Sequence, residues 1–138
     1  MLDTSIVTSG VRNPSGASAA LVEAGLRREF ALLLSVPLLF EYESVLTRPE
    51  HLAYSGFTSG QMDEVLFAIL RVGLEIQLDP YDGPSSPDPS DNHILNLARS
   101  GSADAIVTFN TRHFASPVRE LGVNLYTAVE ALRMLRER

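Results

Sequence analysis

The sequence contains no cysteine, no lysine and no tryptophan among its 138 residues. Without cysteine there can be no disulfide framework, no thiolate zinc site and no cysteine nucleophile. Without lysine, three mechanisms that need its amine are excluded: a Walker-type phosphate lysine, a Schiff base and a serine/lysine dyad. A chain free of cysteine suits a reducing compartment, so the cytoplasm is the expected location.

Long apolar runs and an excess of positive charge are also missing. The longest apolar stretch, from Phe30 to Phe40, is interrupted by Ser35 and Pro37, and its unbroken parts are about half as long as a bilayer requires. No membrane span, membrane partner or secretory signal is therefore expected. The formal net charge of -6 argues against a non-specific nucleic-acid coat protein, but it is compatible with an enzyme that holds nucleic acid around a metal ion.

The remaining composition is that of an ordinary globular protein, with 45% hydrophobic and 20% charged residues. Residues 1–138 are expected to form a single domain, since the length is typical of one. Short apolar runs alternate with segments of helical period, which predicts an α/β fold with a short, mostly parallel sheet flanked by helices. The five predicted strands are 2–7, 31–35, 74–78, 105–108 and 123–126.

Helix boundaries follow from local signals. Ser35 is expected to cap a helix that Pro49 ends. Two capping boxes, Thr58 with Gln61 and Thr127 with Glu130, open two further helices. Helices are also predicted over 17–28 and 91–100, and a short helical piece over 111–121. The three histidines are isolated in the sequence, and surface or capping roles are expected for them.

Three acidic residues occupy positions where a solvated side chain is not expected. In the helix after Ser35, Glu41 falls within the apolar stripe and Glu43 falls outside it. That stripe consists of Leu38, Tyr42, Val45 and Leu46. Asp91 is aligned with the stripe of the next predicted helix, which consists of Ile94, Leu95 and Ala98. Asp3 lies in the first predicted strand, where the hydroxyls of Thr4 and Ser5 can orient it.

Since chemistry in such folds collects beyond the carboxyl ends of the strands, the three acids are expected to converge there with Asn110. Clustered carboxylates repel one another unless a divalent cation neutralises them. Oxygen ligands without cysteine suit Mg²⁺ or Mn²⁺. Purely structural roles for these acids stay open as alternatives: Asp88 and Asp91 as helix caps, Glu41 as a partner of Arg48, and Asp3 as a turn residue.

Four segments in this order resemble the PIN-domain nucleases, and most closely the branch of toxin components of toxin–antitoxin pairs. They are LDTSIV at 2–7, SVPLLFEYESVL at 35–46, DPSD at 88–91 and ADAIVT at 103–108, followed by Asn110 and Phe114. The resemblance implies a PIN-like three-layer fold. It also implies a metal-dependent ribonuclease that hydrolyses RNA phosphodiesters, with an antitoxin protein as partner.

Carried over by position, the family's acids fall on Asp3, Glu41 and Asp91 as Mg²⁺ or Mn²⁺ ligands, and its fourth acid falls on Asn110. Supporting hydroxyls fall on Thr4, Ser5 and Thr108, with Asp88 and Glu43 as second choices. Arg12, Arg48 and Arg112 are candidate phosphate contacts.

Two departures from the family pattern predict lowered activity. Asn110 removes one negative charge, and only Met1 and Leu2 precede Asp3 where the family usually has several apolar residues. Either the first strand is short or the chain start is not the natural one. A catalytically weak or inactive PIN-like binding module therefore stays open as the alternative function. A receiver-like domain is the weakest alternative, because it needs a lysine beside its acids. A homodimer is also implied, with Val65, Leu66, Ile69 and Leu70 as either its contact or part of the core.

Overall fold

A computed structural model describes residues 1–138 and shows eight α-helices and one short 3₁₀ helix, Pro89–Asp91, combined with four short strands. The helices are α1 Thr4–Arg12, α2 Ala17–Leu26, α3 Val36–Leu46, α4 Pro49–Ser55, α5 Ser59–Val72, α6 Asn92–Ser100, α7 Thr111–Leu121 and α8 Ala128–Arg136. The strands are β1 Leu33–Leu34, β2 Leu74–Glu75, β3 Ala105–Val107 and β4 Asn124–Tyr126. The α/β class predicted from the sequence is confirmed.

The strands pair in two parallel couples, β1 with β2 and β3 with β4. Leu2 adds one isolated parallel bridge to Val107, beside β3. The first predicted strand, over 2–7, is wrong, because the chain leaves the sheet after Leu2 and α1 begins at Thr4. Asp3 causes this change, since its side chain accepts a hydrogen bond from the Thr4 N–H and caps the helix.

Local signals placed most helix starts correctly. Ser35 caps α3, and both predicted capping boxes are formed at the starts of α5 and α8. The expectation for Pro49 was incomplete: α3 does end before it, but Pro49 also opens the unpredicted helix α4. The short helical piece that was predicted over 111–121 is a full helix, α7, with Pro117 inside it.

Buried apolar side chains from helices and strands form one cluster at the centre of the molecule. Its fully buried members include Leu38, Tyr42, Leu95, Ile106 and Phe114. Leu66 and Ile69 belong to this core, whereas Leu70 is exposed. No helix has the length and apolar character needed to cross a membrane.

Candidate functional site

Asp3 lies at the junction of the sheet and α1, and its side chain is 5% exposed. One carboxylate oxygen accepts from the Thr4 N–H at 2.9 Å. The other accepts from Ser5 Oγ at 3.0 Å and from Thr108 Oγ1 at 2.7 Å. Three donors therefore fix the orientation of this carboxylate. The Ser5 hydroxyl acts as the sequence predicted, whereas Thr4 donates its backbone N–H and not its hydroxyl.

The hydroxyls of Ser5 and Thr108 also bind the backbone of the loop after β3. Thr108 Oγ1 accepts from the Asn110 N–H at 2.9 Å, and Ser5 Oγ accepts from the Phe109 N–H at 3.2 Å. Asn110 precedes α7, and its side chain makes no capping hydrogen bond to that helix. Its exposed amide is therefore available for contacts other than those of the helix end.

Burial raises the pKa of the Asp3 carboxyl above its ordinary value, and the three hydrogen bonds act in the opposite direction. Repulsion from Glu41 raises the pKa further. The two carboxylates therefore interact electrostatically, although one follows a bridge residue and the other lies on α3. A cation beside them would offset both the burial and the repulsion.

Glu41 is bound to a histidine that the sequence did not connect with it. Its Oε2 accepts from His93 Nε2 at 2.7 Å, because an ionised carboxylate can only accept. This hydrogen bond is the main reason why the pKa of the Glu41 carboxyl lies below its usual value, and Arg48 contributes a smaller attraction. The Thr4 hydroxyl also faces Glu41, yet it is buried without a complete hydrogen bond.

Asp91 has a similar partner. Its Oδ2 accepts from His113 Nδ1 at 3.1 Å, across from α7. Asp88 remains exposed and accepts from the Ser90 N–H at 3.0 Å and from the Ser90 hydroxyl at 2.8 Å. Asp88 is thus occupied in a local turn, whereas Asp91 faces a neighbouring helix.

The arrangement is open rather than a closed ligand cage. No group of three histidine, cysteine, aspartate or glutamate side chains is gathered closely enough to hold a metal ion. Glu41 and Asp91 each bind a histidine, and Glu43 is exposed on the far side of α3. The chemistry of the oxygen donors nevertheless fits Mg²⁺ or Mn²⁺.

The expectation of surface or capping histidines is wrong for His51 and incomplete for His93 and His113, of which His113 keeps a side chain that is 45% exposed. His51 is only 1% exposed, and its ring nitrogens have no hydrogen-bond partner. His93 and His113 contact candidate site carboxylates that lie 52 and 22 positions away in the chain. No local sequence pattern predicts contacts between residues so far apart in the chain, so sequence reasoning could not have found them.

Tyr42 ties this region to the core. Its ring is fully buried, and its hydroxyl donates to the carbonyl oxygen of Leu2, the residue before Asp3. Burial raises the pKa of this hydroxyl well above its ordinary value, with Asp3 and Glu41 adding to the effect. Tyr42 therefore stays a neutral donor that holds the backbone next to the acid.

Removing this donor is expected to destabilise the protein. Tyr42→Phe should lower the free energy of unfolding by about 1–3 kcal/mol, because the Leu2 carbonyl would lose its buried donor. Urea unfolding followed by circular dichroism measures the change. Tyr126→Phe is the matched control, since the Tyr126 hydroxyl makes no such bond and that side chain is only partly buried. Equal stability of the two variants would show that the buried hydrogen bond contributes nothing.

Comparison with known families supports a relationship over most of the chain. Residues 1–112 match the family model described as PIN domain. The matched range includes Asp3, Glu41, Asp91 and Asn110, and it ends inside α7. No curated protein and no solved structure matches the chain.

Proposed function

Because this chain belongs to the PIN-domain family, whose members are usually nucleases, we propose that it is a metal-dependent endoribonuclease. It hydrolyses phosphodiester bonds of RNA in the cytoplasm, as the toxin of a toxin–antitoxin pair. One observation carries the proposal: the buried Asp3 carboxylate is held by three donors while it is repelled by Glu41. A buried carboxylate whose pKa is raised by burial and by a second acid is typical of a functional site.

Asp3, Glu41 and Asp91 would hold one or two Mg²⁺ or Mn²⁺ ions, and Asn110 would add a neutral ligand or position the attacking water. The ion, when bound, lowers the pKa of a water molecule and stabilises the charge of the leaving oxygen. Thr108 and Ser5 keep the Asp3 carboxylate in one orientation.

The two histidines orient the outer carboxylates. His93 holds one oxygen of Glu41 and His113 holds one oxygen of Asp91, so each acid keeps its other oxygen for a ligand. Donors of this kind fix carboxylates around metal sites in many proteins. Since the imidazoles lie between helices, they also link α6 to α3 and α7 to the turn before α6.

The alternative function is a PIN-like binding module with weak or no catalysis. Three observations favour it: Asn110 stands where the family has an acid, no three-ligand cluster is preassembled, and the histidines occupy two of the acids. On this alternative the acids are structural, and the function lies in contacts with a partner molecule.

Partner proteins are part of the proposal, namely a cognate antitoxin and a second copy of the chain. Large exposed apolar side chains on neighbouring helices support a protein contact: Phe40 on α3 is 65% exposed and Phe67 on α5 is 60% exposed.

Calorimetric titration of Mn²⁺ separates the nuclease from the binding module. Wild type is expected to bind Mn²⁺ saturably, and Asp91→Asn should weaken that binding by at least about tenfold because a charged oxygen ligand is lost. Asp88→Asn is the matched control, since Asp88 is exposed and already bound to Ser90.

The same proteins are then incubated with mixed RNA and Mn²⁺, with and without a chelator. Cleavage by wild type that is lost with chelator and reduced in Asp91→Asn would support the nuclease. Binding of Mn²⁺ without cleavage would place the defect at Asn110 or at the short pairing of Leu2. Absence of saturable Mn²⁺ binding would favour the binding module.

A further inference from the structure

A groove of about 790 Å³ begins at the candidate acid site and follows one face of α1. Its near end is formed by Thr4 and Ser5, the two residues that follow Asp3. Thr8 and Arg12 continue the same wall at helical spacing. The groove therefore adjoins the site, because Ser5 both lines the groove and bonds Asp3.

The charge of the groove differs from that of the whole chain. The formal net charge is -6, yet none of the nine residues that line the groove is acidic. Arg12 supplies a positive charge at its far end, where the side chain is exposed. An anionic ligand would thus meet repulsion over much of the surface but not along this face.

Two aromatic rings are exposed in the same groove. Tyr54 of α4 is 71% exposed and Phe109, after β3, is 53% exposed. The guanidinium of Arg12 lies over the Tyr54 ring, 4.8 Å from its centroid. The arginine covers one face of the Tyr54 ring, and exposed aromatic rings beside an arginine are groups on which a nucleobase stacks favourably.

Unpartnered hydroxyls line the inner wall. Thr4 is 5% exposed, and its hydroxyl, which also faces Glu41, has no complete hydrogen bond. The hydroxyl of Thr8 is buried and has no partner. Buried polar atoms without partners are rare in folded proteins, so such atoms in the wall of a groove point to a polar ligand. Sugar hydroxyls and phosphate oxygens have the required chemistry.

We infer that this groove is a nucleotide subsite, which holds an unpaired nucleotide next to the bond that is cleaved. Its base stacks on Tyr54 and Phe109, Arg12 contacts a phosphate, and Thr4 and Thr8 face the sugar–phosphate backbone. Only a single strand offers a free base face, so the subsite selects unpaired over duplex RNA. This inference rests on the proposed function only for the nature of the adjacent site.

Binding is measured without metal and without cleavage. A fluorescein-labelled single-stranded RNA of about 10 nucleotides, alone or annealed to its complement, is titrated with protein in EDTA and low salt, and its anisotropy is recorded. Wild type should bind the single strand more tightly than the duplex. Tyr54→Ala should bind the single strand about tenfold more weakly, whereas Tyr54→Phe should bind like wild type because the ring is kept.

Arg12→Gln should also weaken binding, and it should lower the dependence of log affinity on log salt by about one. Phe67→Ala and Arg71→Gln are matched controls, since both side chains are exposed on α5 away from the groove. Circular dichroism melting verifies that every variant is folded.

The inference is overturned if Tyr54→Ala binds the single strand as tightly as wild type, if wild type prefers the duplex, or if Phe67→Ala loses as much affinity as Tyr54→Ala. Its failure is distinct from failure of the nuclease proposal. If the protein cleaves RNA in a metal-dependent way but Tyr54→Ala leaves the RNA affinity unchanged, only the subsite is refuted. If Tyr54→Ala weakens RNA binding but neither wild type nor any variant cleaves RNA, the nuclease proposal is refuted and the subsite is retained.

Discussion

Asp3→Asn is expected to reduce Mn²⁺-dependent RNA cleavage by more than about 100-fold. Asp3 is the most buried of the candidate ligands, and three donors already fix its orientation. An amide in its place keeps the shape and one acceptor oxygen but carries no charge to attract the ion. Gel analysis of labelled RNA under single-turnover conditions measures the loss.

The same variant is expected to stay folded and to be at least as stable as wild type at neutral pH. Burial raises the pKa of Asp3 in the folded state above its unfolded value, so its favourable contribution is complete below about pH 4 and is lost as the pH rises through the folded pKa. Asparagine caps helices as well as aspartate does, so α1 keeps its first turn.

Thermal melting in the presence and absence of Mn²⁺ provides a readout independent of cleavage. Wild type should melt at a higher temperature with Mn²⁺, because an ion that binds only the folded state stabilises it. Asp3→Asn should show no such shift. Loss of folding in Asp3→Asn would identify this acid as structural and would contradict the assignment.

The second large effect is expected for Glu41→Gln, again a loss of cleavage of more than about 100-fold. The hydrogen bond from His93 keeps the pKa of Glu41 low, so the carboxylate is ionised at neutral pH and ready to bind a cation. Glutamine can still accept from His93, so the geometry is preserved while the charge is removed.

Glu43→Gln is the matched control on the same helix. Glu43 lies two positions further along α3 and is exposed, so its neutralisation should leave cleavage within about twofold of wild type, as for most surface substitutions. If Glu43→Gln abolished cleavage and Glu41→Gln did not, the wrong glutamate would have been assigned to the site.

Glu41→Gln should also change the acid stability of the protein. The folded pKa of Glu41 lies below the unfolded value, so its contribution to stability is present above about pH 4.5 and is lost as the pH falls through the folded pKa. The side chain is 35% exposed, so solvent screens the interaction and the effect is small.

Much of the fold could be predicted because its signals are local. Ser35, Thr58 and Thr127 mark helix starts through a side chain that bonds to a backbone N–H three residues later. Such signals need only a short window of sequence. The position of Glu41 on the wheel of α3 was readable for the same reason, and it is partly buried as the apolar stripe implied.

The prediction failed where one residue has two roles. Leu2, Ile6 and Val7 suit a strand and a helix equally well, and the sequence offers Asp3 as a candidate ligand or as a turn residue. Its capping of α1, which decides between the two structures, is neither of these roles. The strand pairing was also overestimated, since short apolar runs do not reveal how many residues join the ladder.

Assembly of the site follows from the wide sequence separation of its parts. Asp3 accepts from Thr108, which lies 105 positions later, and Leu2 bridges Val107 in β3. Bringing these residues together closes a long loop of chain and lowers its conformational entropy before any contact stabilises the pairing. We therefore expect these pairings to form late in folding. During synthesis on a ribosome, a nascent chain that stops before β3 contains α1 to α6 but lacks the strand and the hydroxyl that hold Asp3. The acids therefore come together only after most of the chain has been translated.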